Sequence, residues 1–407
     1  MNAFTQTAPA GAPVSALDPF SPQFRSDPFS AYEQLRDLGP LVWLPQYGIW
    51  TVARYEQVRE VLADWKRFSN AGGGGLRNYF VEKPWRPPSL ILEVDPPAHA
   101  RTRKVFMDVI SPARLASLRE TFEAEAARIV DRALEVGTLD AIPGLVQPFP
   151  LTVFPDAVGM AKGEDRGNML VYGSMVFGAF GPVTPWYEDL IKQAGPVSEW
   201  IMARCQRERL SAGGIGAAIH EQVDAGVLEP HEAALLVRSL LSAGVDTTID
   251  SIGLCLKCLA EHPDQWAQLR DNPDLARAAF EEATRFDSSS QSLFRTTLED
   301  FEYQGLPIGR HAKVLVFIGS AGRDPRKWTE PDRFDITRRV ASHQVGYGAG
   351  IHACVAQMMA RLEGEVFFRA LAARVQTIEL AGEPQLRMNP GLRGLSSLPI
   401  RLTPRKN

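Results

Sequence analysis

The sequence has 407 residues and a formal net charge of −4, and it is 45% hydrophobic and 23% charged. That much apolar mass excludes a disordered chain, and the mildly acidic balance argues against a nucleic-acid binder. Length alone allows roughly two to four domains, or one large one. Four cysteines exclude a disulfide scaffold and suit a reducing, cytoplasmic compartment.

Residues 1–20, rich in Ala, Pro, Ser and Thr, read as a mobile arm; without a basic start they are no secretory signal. Ala31, Leu35 and Leu38 recur at helical spacing. Short strands are predicted at 41–44 and 49–52, and a helix at 55–66. A glycine loop at 71–75 leads into an irregular, Pro-rich segment that ends at Pro97. Long amphipathic helices follow at 98–109, 113–136, 188–211, 231–262 and 265–286. The uncharged stretch 167–187 could span a bilayer by length, but its Gly and Pro content argues against a membrane helix. Short strands such as 314–318 precede an irregular stretch at 323–345, and a final helix runs over 355–375. No repeat or linker divides the chain. The pattern predicts one mostly helical domain with a small β portion over 21–407.

Residues 231–262 contain no proline, a run of about 48 Å if fully helical. Its centre reads Ser242-Ala243-Gly244-Val245-Asp246-Thr247-Thr248. Gly weakens a helix interior, and Asp and Thr compete for its backbone hydrogen bonds. The centre is therefore expected to widen or kink, unless it is simply a solvated polar patch.

Cys354 closes the run Gly346-Tyr347-Gly348-Ala349-Gly350-Ile351-His352-Ala353 and stands just before the last helix. The positive end of a helix dipole favours thiolate there. A nucleophile would need a base, and His352 is badly placed at two residues' distance. A zinc ligand would need partner cysteines at metal spacing. A single axial thiolate on haem iron needs no other protein ligand, and a buried structural cysteine needs none either. Neither this loop nor Gly72–Gly75 has the spacing of a nucleotide-binding loop. Cys255 and Cys258 lie within the long helix and read as packing residues. Glu282 and Arg285, three apart, share a helix face, as do His99 and Arg103, four apart.

Taken together, these features resemble the cytochrome P450 family over nearly the whole chain. The family's cysteine loop stands as Tyr347-Gly348-Ala349-Gly350-Ile351-His352-Ala353-Cys354-Val355-Ala356, with Tyr347 for the usual Phe and Ala356 for the last Gly. Its Glu-x-x-Arg motif is Glu282–Arg285, with Arg333 as third partner. Its oxygen-activating stretch is Ala243-Gly244-Val245-Asp246-Thr247. The resemblance implies a triangular helical prism around a buried haem b, with Cys354 as the proximal thiolate. It implies that Asp246 and Thr247 organise water and deliver protons on the distal side. His99, Arg103, Arg295 and His352 would hold the haem propionates. With only a short stretch after Cys354, no fused reductase is expected. Electrons are therefore expected from a ferredoxin with its NAD(P)H-dependent reductase, docking on a basic face that includes Arg101, Lys104, Arg338 and Arg339.

Ser239, Ala243 and Thr247 share one helix face, and Ser239 lies about 12 Å along the axis from Thr247. Arg86 and Ser89 flank two prolines on the segment before the 98–109 helix, a stiff place for a carboxylate clamp. Phe177, Phe180 and Phe294 could wall the pocket. With Arg238-Ser239, these residues resemble the pocket of a bacterial subgroup that oxidises para-substituted benzoates. That resemblance implies O-demethylation of 4-methoxybenzoate-type acids or hydroxylation of para-alkyl groups. A neutral phenol or terpenoid substrate, a haem-based gas sensor and, more distantly, a cysteine hydrolase remain alternatives.

Overall fold

The helix Pro112–Val136 is specified at both ends. Ser111 accepts a hydrogen bond from the Arg114 N–H, and Pro112 sits where its missing N–H costs nothing. Gly137, at φ 76°, stops the helix. In the computed structural model, which describes residues 7–163 and 165–406, this helix packs along Gln357–Arg374. Phe122, Phe149 and Phe367 interlock between them. Around this pair the other helices bury one large apolar core. The fold is the expected one, mostly α with a small β portion.

The largest sheet has five strands in the order Val42–Leu44, Ile49–Val52, Lys313–Val316, Leu293–Thr297, Phe68–Ser69. Only the Ile49–Val52 pairing with Lys313–Val316 is parallel. A three-stranded sheet joins Thr138–Asp140, Pro399–Pro404 and Val375–Leu380 near the chain's end.

Several boundaries differ from the sequence pattern for identifiable reasons. The 231–262 run is two helices, Pro230–Ala243 and Asp246–Glu261. The 265–286 run is split into Pro263–Asp271 and Ala276–Phe286 around Pro273. The helix expected from 188 begins earlier, at Pro185, because Thr184 caps it. Pro148–Val158, with three prolines, and Ile215–Asp224 were not legible as helices. Across 167–187 the helix stops at Gly178, and no described helix is long and apolar enough to cross a membrane.

The arm expected over 1–20 is a docked segment where it is described, from residue 7 onward. Trp43 N–H donates to the Pro13 carbonyl (2.8 Å), and Ser15 N–H donates to the Trp43 carbonyl (3.0 Å). Phe20 meets Tyr47 edge to face. Apolar and backbone partners outweigh the small polar composition that suggested mobility. Residues 1–6 lie outside the described part.

Candidate active site

The break in the long helix falls at Gly244 and Val245. Thr247 Oγ1 donates to the Ala243 carbonyl (2.7 Å) and Thr248 Oγ1 to the Gly244 carbonyl (2.9 Å). The hydroxyls thus take acceptors that backbone amides serve in an unbroken helix. The ring of Phe154 occupies the place of a side chain at Gly244. Close packing therefore requires glycine here, where the backbone dihedral does not.

Thr247 faces a cavity of about 260 Å³. Asp246 does not border it. Its carboxylate lies against Gly173, where a Cβ would collide with it. Arg387 reaches Asp246 at 3.4 Å and Asp250 at 2.5 Å. Burial pushes the carboxyl pKa of Asp246 up to about 6 and that of Asp250 up to about 7, while Arg387 pulls both down. One oxygen of Asp246, Oδ2, has no hydrogen-bond partner.

Cys354 borders the same cavity, the only cysteine among the described residues that does. Its N–H donates to the Tyr347 carbonyl (2.7 Å). Gly348 and Gly350, at φ 75° and 69°, make the left-handed turns that shape the loop. Burial pushes the thiol pKa up, contrary to the expected depression; the Ala356 N–H and the guanidinium groups of Arg103 and Arg361 act against burial. Arg103 also donates to the Ala353 carbonyl (2.5 Å). Nearby, the rings of His99 and His352 lie 4.3 Å apart, and His352 Nε2 is 3.6 Å from Asp95. Burial drives the pKa of His99 down to about 4 and lowers that of His352. Arg295 is buried, which pushes its pKa down to about 10.

Farther along the cavity Arg86, Ser89, Arg238 and Ser239 converge. The Ser89 and Ser239 hydroxyls are 3.1 Å apart although 150 residues separate them. Arg86 and Arg238 both donate to the Pro87 carbonyl, at 2.9 and 3.1 Å. Arg86 also pairs with Glu93 (3.0 Å), whose carboxylate accepts from the Ser89 N–H (2.7 Å). Arg86 Nε is buried without a partner. Phe177 and Phe180, 5.6 Å between centroids, line the cavity with Ala243 and Leu293.

Residues 215–389 match the profile of the family described as Cytochrome P450. A protein named Cytochrome p450 CYP199A2, from Rhodopseudomonas palustris, is 51% identical over 97% of this chain and 96% of its own. The chain belongs to the cytochrome P450 family. Linalool 8-monooxygenase of Pseudomonas putida is 28% identical over 93% of this chain and 96% of its own. Among solved structures, CYP108D1 from Novosphingobium aromaticivorans superposes with a TM-score of 0.84 at 25% identity, covering 95% of this chain and 97% of its own. Cytochrome P450 CREJ, in complex with (4-ethylphenyl) dihydrogen phosphate, gives 0.82 at 26% identity, covering 95% and 99%.

This P450 is a monooxygenase that uses dioxygen, a substrate and electrons from a redox partner. The family binds haem through a cysteine thiolate, and the residues around Cys354 fit that group. Two propionates need buried donors: His99 Nε2 is buried without a hydrogen-bond partner, and His352 stands beside it, its Nε2 only loosely engaged with Asp95 at 3.6 Å. The buried Arg295 and the half-buried Arg103 lie in the same neighbourhood.

Three sequence expectations are corrected. Phe294 is 1% exposed and packs in a core cluster with Tyr32 and Leu315, away from the cavity. Strand alternation explains this, because Leu293 and Arg295 occupy the opposite face. Arg333 gives the Glu282–Arg285 pair only its carbonyl, which accepts from Arg285 at 3.2 Å. The second guanidinium on Glu282 belongs to Arg338 (3.3 Å). The basic face is largely paired internally: Arg101 with Glu232 (2.5 Å), Lys104 with Asp108 (3.3 Å) and Arg338 with Glu282. Arg339 is exposed. Cys255 and Cys258 are buried, with thiol pKa values raised by burial, as packing residues should be. The sequence reading missed Glu93, Asp250 and Arg387. Asp250 was within reach, since it follows Asp246 by one helical turn.

Proposed function

We propose that this P450 oxidises para-substituted benzoates, releasing the methyl group of 4-methoxybenzoate-type acids as formaldehyde or hydroxylating para-alkyl groups. The observation that carries this reading is the meeting of two guanidinium groups and two hydroxyls at one part of the cavity. Their partner would be a carboxylate, which accepts charge-assisted bonds from Arg86 and Arg238 and hydroxyl bonds from Ser89 and Ser239. Phe177 and Phe180 would flank the ring and keep water from it. The para substituent would then lie about two helical turns away, beside Thr247.

Haem, which Cys354 would hold at the iron and His99, Arg103, Arg295 and His352 at the propionates, would supply oxygen activation. Thr247 would hold a water at the reacting end of the substrate. Burial raises the carboxyl pKa of Asp246 to about 6, so it would take up a proton more readily than an ordinary carboxylate and pass it inward when it leaves Arg387. Electrons would come from a small iron–sulfur ferredoxin in the cytoplasm, with Arg339 as an exposed cation for docking.

Titration with 4-methoxybenzoate and with its uncharged amide, followed by the haem spin-state shift, tests the reading. The acid is expected to bind at least about tenfold tighter, since charged hydrogen bonds contribute about 1.5–3 kcal/mol each. Equal affinities would remove the carboxylate. The linalool-oxidising relative points to a neutral terpenoid instead, but two buried guanidinium groups facing a neutral ligand would go unused.

A further inference from the structure

Two cations line the polar part of the cavity, and a carboxylate stands behind them. Glu93 is buried, its side chain 2% exposed. It stands behind the lining, bordering a small adjoining cavity, while Arg86 borders both. Its carboxylate binds Arg86 and the Ser89 N–H together. The other nearby ion pair, Arg77–Glu82 at 3.7 Å, is more exposed and neutral overall. Lys313, a buried cation that also feels Glu93, has its pKa pushed down to about 7 by burial and is largely neutral at pH 8, so at that pH Arg86, Arg238 and Glu93 leave a local charge of about +1 in a poorly solvated place.

We propose that Glu93 is a specificity-determining residue: its countercharge tunes the anion site to singly charged acids and rejects dianions of the same shape. The inference rests on the carboxylate reading above. A monoanion neutralises the site. A dianion would leave a net buried negative charge, which is costly where water is excluded. Without Glu93 the two arginines would match an aryl phosphate dianion, the ligand for which paired guanidinium groups are well suited.

Two isosteric probes isolate charge from shape. At pH 8, 4-methoxyphenyl sulfate carries one negative charge. At the same pH, 4-methoxyphenyl phosphate carries close to two, its second pKa being about 6. Calorimetric titration of the holoenzyme gives the ratio of their dissociation constants. Wild type is expected to prefer the sulfate. Glu93→Gln keeps an acceptor for the Ser89 N–H and raises the local charge by one. It should shift the ratio toward the phosphate by about ten- to a hundredfold, the effect of one charge a few ångströms away at an effective dielectric near 20. Arg86→Gln should shift it the opposite way, and the Glu93→Gln/Arg86→Gln pair should return it toward wild type. A ratio unmoved in Glu93→Gln overturns the proposal; should Glu93→Gln not fold, a double variant whose ratio stays with that of Arg86→Gln instead of returning toward wild type overturns it. Failure of the carboxylate reading looks different, because wild type would then bind 4-methoxybenzoate no better than its amide.

Discussion

Arg387 lies between two buried aspartates, 2.5 Å from Asp250 and 3.4 Å from Asp246. One cation therefore serves two carboxyl groups, and burial outweighs it at both. Both groups hold their protons to higher pH in the folded protein than in the unfolded chain. Between about pH 4 and the raised values of about 6 and about 7, the folded state binds more protons. Their contribution is full below that window and is lost as pH rises through it. Asp250→Asn removes its share. Its melting temperature should fall less than that of wild type between about pH 5 and about pH 7.5, and parallel curves would refute the assignment.

Removing the guanidinium is a different perturbation. Arg387→Leu leaves two buried carboxyls with no cation, so both should stay protonated to still higher pH. The variant should lose about 3–5 kcal/mol in urea unfolding near neutral pH, the usual cost of breaking a buried pair. Adding Asp250→Asn should recover part of that loss. No recovery would show that Arg387 acts only through packing.

Thr247→Ala removes the one hydroxyl of the Asp246-Thr247 pair that faces the cavity. Substrate affinity should change less than about twofold, because the clamp residues are untouched. Product formed per NADH should fall several-fold, with hydrogen peroxide taking up the difference. An unchanged yield would remove Thr247 from proton delivery.

The reduced, CO-treated protein should show the strongly red-shifted Soret band of thiolate-ligated haem. Cys354→His should abolish that band while His99, Arg103, Arg295 and His352 still retain haem. An imidazole-type spectrum in wild type would sink the Cys354 assignment.

Gly244→Ala sets helix propensity against sterics. Alanine gains about 1 kcal/mol in a helix interior. At this position, however, its methyl would meet three atoms of the Phe154 ring, and overpacking a filled core costs about 1–3 kcal/mol. Sterics should win, giving a net loss of about 1 kcal/mol on denaturation. The loss should shrink in the background of Phe154→Leu, and equal losses in both backgrounds would exclude the clash.

What the sequence made legible was local. Ser111-Pro112 and Gly137 delimit a helix by capping alone, and Gly244, Asp246 and Thr247 announce a break by their dislike of helix interiors. The meeting of Ser89 with Ser239 was also within reach, because the resemblance placed both at one ligand. Readings that needed a strand's facing failed: Phe294 was assigned to the pocket, but the pairing of Arg295 with Val314 fixes which face each residue takes. Arg333 and Arg338 could not be told apart, since both follow Glu282 through an irregular stretch whose path only tertiary contacts decide. Glu93 carried no motif. Its meaning comes from Arg86, which lies seven residues earlier and reaches it only after the Pro87-Pro88 turn.

The hydrogen bonds of residues 13–15 with Trp43 have a consequence for solubility. Val42–Leu44 is an edge strand of the five-stranded sheet, and an uncovered edge invites strands from other molecules. Pro13 and Ser15 occupy the Trp43 amide and carbonyl first. A chain shortened past residue 15 would expose both groups, and self-association through that edge would be its characteristic failure during expression.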